Sequence, residues 1–323
     1  MNKRLFWIVT LFLLTPSTFA EAQQPGKMFR IAVLAYDQQR ANMESFFEEL
    51  NRFGYVADRN ATIELWNAEG RGGRLADLAE EVGRFKPDVV LASATPAALA
   101  AKKSMPTTPI VFVLVADPLS AGLVGSFAHP GGNLTGLSNM NVELSGKRTE
   151  LLMETLPTAK RIGVLTNPSD PISAPQLKEA SRAAQAGRVK LEILNAREPK
   201  DLQQLSASLK KNHLDAMTLV SSQLFAGHRT QLVSMAIATK TPTIYWTGAF
   251  VDAGGLMSYG VNAPDLYRRA AVYVDKILKG TKPADLPVEQ PTKFEFIINL
   301  KTAKQIGVTI PPNVLVRADK VIK

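Results

Sequence analysis

DVVLASATPAALAAKKS, residues Asp88 to Ser104, decides the fold. Asp88 to Ser93 is a short apolar run rich in Val and Leu, the mark of a buried parallel strand. Ala94 gives a tight exit because it is small. Thr95 is a good N-cap, and Pro96 suits the first helical position, where its missing N–H removes nothing. An Ala-rich helix follows, with Lys102 and Lys103 at its C-terminal end, where cations complement the dipole. The result is a strand whose carboxyl end delivers a bare helix N-terminus. In a doubly wound sheet, ligands bind at that edge. Unpaired N–H groups and a partial positive charge there attract an anion such as a carboxylate. The same residues also describe an ordinary strand–helix corner, of which every α/β protein has several.

The stretches on either side repeat the pattern. Phe29 to Leu34 (FRIAVL), Thr62 to Trp66 and Ile110 to Val115 (IVFVLV) read as strands. Asn42 to Phe53 and Arg74 to Phe85 read as helices. Alternating apolar strands and helices indicate a parallel sheet covered on both faces. HPGGNLTG, His129 to Gly136, reads as a turn-rich connection, and Ser145 to Leu156 as a helix stopped by Pro157. A second series then begins. Its strands are Arg161 to Thr166, Lys190 to Leu194, Ala216 to Val220, Thr243 to Trp246 and Leu256 to Tyr259. Its helices are Gln176 to Ala186, Leu202 to Lys211 and His228 to Thr239. Pro264 to Gly280 is a long helix. The tail adds a strand, Phe294 to Ile298, and a short helix, Thr302 to Ile306. Two such series predict two lobes with a cleft between them.

Length and composition fit this reading. The chain has 323 residues and a hydrophobic share of 46%, enough for two cores. Lys and Arg number 38 against 29 Asp and Glu, a formal charge of +9. The basic residues are spread out, with no basic helix and no aromatic-interleaved patch, so no nucleic-acid partner is expected. There is no cysteine, which excludes disulfides, thiolate catalysis and a lipid anchor on an N-terminal Cys. Residues 1–22 read as a secretory signal peptide: Lys3 and Arg4, an apolar core from Leu5 to Leu14, then small residues. Cleavage is expected after Ala20 or Ala22. The apolar run is too short to span a bilayer comfortably, so no stable membrane insertion is expected. The linker Glu21 to Lys27 follows. An exported, unanchored protein of a Gram-negative cell is expected in the periplasm.

Chemistry-bearing residues are sparse. The histidines are His129, His213 and His228. No G-x-S-x-G elbow, no metal-ligand spacing and no G-x-G-x-x-G after the first strand is present. An enzyme is therefore not expected, nor a cofactor or metal. A transcription repressor of the two-lobed kind would carry a helix-turn-helix ahead of Phe29, and only the signal peptide stands there. Two first-lobe loops could carry chemistry: Ala35 to Arg40, holding Tyr36 and Asp37, and Ala116-Asp117-Pro118. Asp117 could accept from a ligand ammonium, or cap the next turn.

SATPAALAAK (residues 93–102), ADPLSAGLVGSFAHPGGNLTGLS (116–138), ELSGKRTELL (143–152), the long run GGLMSYGVN…TIPP (254–312) and VLVRADKVI (314–322) resemble the ABC-transporter substrate-binding protein family that includes the tryptophan- and tyrosine-binding proteins. The resemblance implies an α/β chain of the type I periplasmic-binding-protein fold: two Rossmann-like lobes, a hinge and a central cleft. It implies a first lobe of residues 28–139 plus 260–283 and a second of 140–259 plus 284–323. The implied function is capture of a small solute, an amino acid or related carboxylate, by a monomer that delivers it to an ABC permease with its ATPase. A sensor of the same fold, not coupled to uptake, is the alternative. The implied binding loops hold Tyr36, Asp37, Ala94, Thr95, Pro96 and Asp117 in the first lobe. In the second they hold Asn167, Pro168, Ser221, Gln223, Phe225, Phe250, Ser258 and Tyr259. Thr95 would serve the ligand's carboxylate and Asp117 its ammonium.

Overall fold

The computed structural model describes residues 27–37, 40–212 and 214–323. Residues 1–26, with the expected signal peptide and its cleavage sites, and Gln38, Gln39 and His213 lie outside the described residues. The first series runs β1 (Phe29–Ala35), α1 (Arg40–Arg52), β2 (Ala61–Asn67), α2 (Leu75–Phe85), β3 (Val89–Ser93), α3 (Thr95–Ser104), β4 (Ile110–Val115) and β5 (Leu134–Ser138). The second runs α4 (Asn141–Thr155), β6 (Arg161–Thr166), α5 (Ser173–Ala186), β7 (Lys190–Asn195), α6 (Pro199–Asn212), β8 (Ala216–Leu219), α7 (Gln223–Gly227), α8 (Arg229–Ala238), β9 (Thr243–Tyr245), α9 (Gly248–Asp252) and β10 (Met257–Val261). Then come α10 (Ala263–Leu278), β11 (Phe294–Asn299), α11 (Leu300–Ile306), α12 (Pro312–Leu315) and β12 (Lys320–Ile322).

The described strands form two sheets, ordered β2-β1-β3-β4-β5 and β12-β11-β10-β9-β8-β6-β7. The first is wholly parallel, and in the second only β10 and β11 run antiparallel. Alternation along β1 shows why its run is apolar throughout. Ile31, Val33 and Ala35 pack with α1 and α10 on one face, while Ala32 and Leu34 pack with α2 and α3 on the other. The second sheet is likewise covered on both faces, by α6, α7, α8 and α9 on one and α4 and α11 on the other.

The chain crosses between the sheets after Ser138, after Val261 and again beyond Glu289. Helix α10 returns to the first lobe and packs Leu266, Tyr267, Ala270, Val274 and Ile277 into its core. Asn262 caps this helix by accepting from the Asp265 N–H at 3.0 Å. The expected boundaries at Gly260 and Ala284 fall differently in the sheets. Gly260 and Val261 pair with Glu295 and Phe294 in the second sheet. Glu289 still donates to Gly136 of β5 and accepts from Ser138.

Several expectations need correction. HPGGNLTG is not only a turn: Gly131 and Gly132 make the turn at positive φ, and β5 starts at Leu134. Gly136 sits inside that strand at φ +152, where a Cβ would lie 2.0 Å from the Phe112 carbonyl oxygen. Helix α4 begins at Asn141, ahead of the expected Ser145, because Met140 adopts a left-handed conformation and turns the chain into it. Residues 223–227 and 248–252 are single helical turns rather than plain loops.

Candidate functional site

All the parallel strands of a lobe end on one edge, and the two edges face each other across a cavity of about 510 Å³. Its first-lobe wall holds Asp37 after β1, Thr95 and Pro96 at the start of α3, and Leu114 and Ala116 at the end of β4. Its second-lobe wall holds Asp170 and Ile172 after β6, Ser221 to Gln223 after β8 and Trp246 to Phe250 after β9. Asn139, Asn141 and Asn262 line it where the chain crosses. A cavity of this size, partly apolar and with a few convergent polar groups, suits a small solute.

The corner at α3 differs from its sequence reading in one respect. Ala94, not Thr95, is the N-cap; Thr95 and Pro96 are the first two helical residues. Ala94 has φ 73 and ψ 158, a region that L-residues rarely occupy. It holds there because its N–H donates to the Val113 carbonyl at 2.9 Å and its own carbonyl accepts from Ala98 at 3.1 Å. No side chain caps the helix. Thr95 instead uses its Oγ1 to accept from the Ala116 N–H at 3.4 Å, tying α3 to the end of β4. Leu114, beside it, has φ 58, at the register shift between Phe112 and Val115. With Ala94, Leu114 and Met140, three non-glycine residues at positive φ crowd this rim of the cavity.

Of the expected site residues, the structure brings Asp37, Thr95, Pro96, Ser221, Gln223 and Phe250 together on the cavity. The others stand elsewhere. Asp117 turns back on its own loop, its Oδ1 accepting from Leu119 at 3.1 Å and Ser120 at 3.0 Å; it caps a turn and is not on the cavity wall. Asn167 accepts from Ser169 at 3.0 Å and donates to Ser222 Oγ at 3.4 Å, so it braces the second-lobe loops, and Pro168 faces outward. Phe225 is fully buried in the core. Ser258 is buried in β10, and Tyr259 packs against Phe294 and Phe296. Tyr36 is half-buried just behind the rim. Burial raises its pKa, and the carboxylates of Asp170 and Asp37 add to the rise. One phenol thus feels an acidic group from each lobe.

Asp170 was not expected. Its Oδ1 accepts from the Ile172 N–H at 3.3 Å, and burial raises its carboxyl pKa against the bonds from Ile172 and Ser222 that lower it. Gln223 lines the cavity, and its Oε1 is sealed in without a hydrogen-bond donor. The cavity therefore sets the uncapped start of α3 in the first lobe against the Asp170 carboxylate in the second. Trp246, Phe250, Ile172, Leu114 and Ile297 supply its apolar wall. Among the described residues, no group of His, Cys, Asp and Glu could hold a metal ion, and no helix is long and apolar enough to cross a membrane.

Comparison with known proteins agrees with this architecture. A tyrosine-binding protein of Clostridioides difficile is 29% identical over 264 residues, covering 81% of this chain and 75% of its own. The structure of a conserved domain protein from Vibrio cholerae superposes with a TM-score of 0.86 at 28% identity, covering 91% of this chain and all of its own. An ABC domain from Streptococcus pneumoniae in complex with L-Trp gives 0.83 at 28% identity, covering 92% of this chain and all of its own. The fold is the type I periplasmic-binding-protein fold, and the curated relative is a binding protein. The profile of the family described as ABC transporter substrate binding protein matches residues 30–322, and the chain belongs to that family.

Proposed function

We propose that this protein binds an α-amino acid with a large apolar side chain in the interlobe cavity and delivers it to an ABC permease. One observation carries the reading: a single cavity sets the uncapped start of α3 opposite the Asp170 carboxylate. The first suits the ligand's carboxylate, the second its ammonium. Trp246, Phe250 and Ile172 would then face the side chain. The amino acids bound by two of the relatives, tyrosine and L-Trp, support this chemistry. The signal-peptide pattern of residues 1–22 supports action in the periplasm, with a mature N-terminus near Glu21 or Gln23.

The test is mass spectrometry of protein purified under native conditions, followed by titration calorimetry with L-Trp and L-Tyr. Micromolar or tighter binding of either is expected. No heat with either amino acid, beside a different co-purified solute, would sink the reading.

A further inference from the structure

Arg148, two turns after Asn141 in α4, is completely buried. A guanidinium taken out of water normally has a carboxylate against it. Here it has none among the described residues, and its acceptors are all uncharged. Nη1 donates to Asn141 Oδ1 at 3.2 Å and to the Tyr259 carbonyl at 3.4 Å. Nη2 donates to the Asn141 carbonyl at 3.0 Å and to Ser145 Oγ at 2.8 Å. Nε is sealed in without any acceptor. Burial accordingly lowers the pKa of this arginine to about 9. The group ties the start of α4, just after the first crossing, to β10, just before the second.

Asn141 lies between Arg148 and the cavity, which it lines. A guanidinium has only donors, so only the amide oxygen of Asn141 can face it. The orientation of this amide is thereby fixed by chemistry rather than left to choice. Its Nδ2 then points the other way. Among the described residues Nδ2 donates to nothing, and it is not one of the atoms sealed in the interior. The neighbouring Asn139 is committed to the scaffold at both ends of its amide. Its Oδ1 accepts from the Asn141 N–H at 3.1 Å, and one N–H of its Nδ2 donates to Leu114 at 3.0 Å. Those bonds hold Asn141 beside the end of β4, where Ala116 meets Thr95 of α3.

We propose that Asn141 donates through Nδ2 to the carboxylate of the bound ligand, and that Arg148 is the positioning residue that holds the amide in the donating orientation. This rests on the amino-acid reading above. The anion would be held from two sides, by the start of α3 and by Asn141. The uncompensated charge of Arg148 lies one side chain behind it. A second network continues from Arg148. Ser145 Oγ donates to Gln176 Oε1 at 3.3 Å, which also accepts from Ser221 N at 2.8 Å, on the second-lobe wall. The same guanidinium thus anchors both the crossing and a cleft loop.

The decisive substitution is Asn141→Asp, read with L-Trp and with L-tryptophanamide, in which a carboxamide replaces the carboxylate. The new side chain still accepts from Arg148 and gives it the carboxylate partner it lacks, so the unliganded protein should melt higher. It removes the donor facing the ligand and adds a negative charge. L-Trp affinity should fall about tenfold to a hundredfold, and the preference for L-Trp over the amide should shrink by at least about tenfold. Arg148→Gln, which offers both donor and acceptor and so no longer pins the amide, should also narrow that preference. Its melt would show whether it remains folded. An Asn141→Asp protein that keeps the wild-type preference would overturn the assignment while leaving amino-acid binding intact. A wild-type protein that binds neither L-Trp nor L-Tyr would instead refute the proposed function, and this assignment with it.

Discussion

Replacing Asp170 with Asn separates the site from the scaffold. The amide has nearly the same shape and keeps an Oδ1 for the Ile172 N–H, so the turn after β6 should persist. What is lost is one negative charge on the cavity wall. A hydrogen bond to a charged group contributes about 1.5–3 kcal/mol, so affinity for L-Trp should fall about tenfold to a hundredfold. Stability of the empty protein should move the other way. Burial holds the Asp170 carboxyl pKa above its ordinary value, so the folded chain prefers the neutral group. Between the unfolded pKa and the raised folded one, the folded chain binds the extra proton. This contribution is full below the unfolded value and is lost as pH rises through the folded one. The Asn variant removes that loss and should be the more stable at neutral pH. Binding an ammonium requires the ionised carboxylate, so wild-type affinity should decline as pH falls through the raised pKa. The variant should lack that decline. Calorimetry across the acidic range, with melts of the empty proteins, measures both effects. Wild-type affinity with an unchanged pH profile would show that the ammonium is held elsewhere and that Asp170 is only a turn residue.

Thr95→Asp keeps an acceptor for Ala116 and adds a charge that the start of α3 favours by about 0.3–1 kcal/mol, so the fold should hold. L-Trp affinity should nevertheless drop by tenfold or more, because like charges meet; calorimetry showing equal affinity would move the anion site off α3. Gly136→Ala should lower stability by about 1–3 kcal/mol in urea unfolding, since its Cβ would strike the Phe112 carbonyl, and an unchanged midpoint would contradict the β4–β5 register. Solution scattering should show the protein contracting on saturation with L-Trp; an identical profile would argue against lobe closure about the crossings.

The fold was legible wherever burial on both faces wrote itself as an apolar run. FRIAVL and IVFVLV are strands in the structure to within a residue. LTGLS was not legible, because a strand that needs Gly136 for backbone clearance looks like the turn before it. The corner at Thr95 was legible from its own residues, while Ser221, Gln223 and Phe250 were expected only from the family resemblance; all four line the cavity. The choice of acid could not be made locally. Asp117-Pro118 and Asp170-Pro171 are the same dipeptide at the end of a strand. One carboxylate closes on two N–H groups of its own turn, and the other keeps a face for the cavity. Arg148 reads as one more charge on an amphipathic helix. Its burial depends on Tyr259, far along the chain, and on Asn141, whose place in the helix was not foreseen.

The return of α10 has a consequence for how the molecule comes into being. All five strands of the first sheet have been synthesised once Ser138 has left the ribosome. One face of that sheet, bearing Ile31, Val33, Val111 and Val113, is still waiting for Leu266, Tyr267 and Val274. Those residues come only after the whole β6–β10 series. The N-terminal half of the nascent chain therefore keeps an open apolar face until α10 is made, and the first lobe cannot be completed before the β6–β10 series of the second. For a chain exported unfolded, as proposed above, that delay keeps it from locking into a compact lobe too early. The same order makes it dependent on whatever keeps an open apolar face from aggregating until α10 arrives.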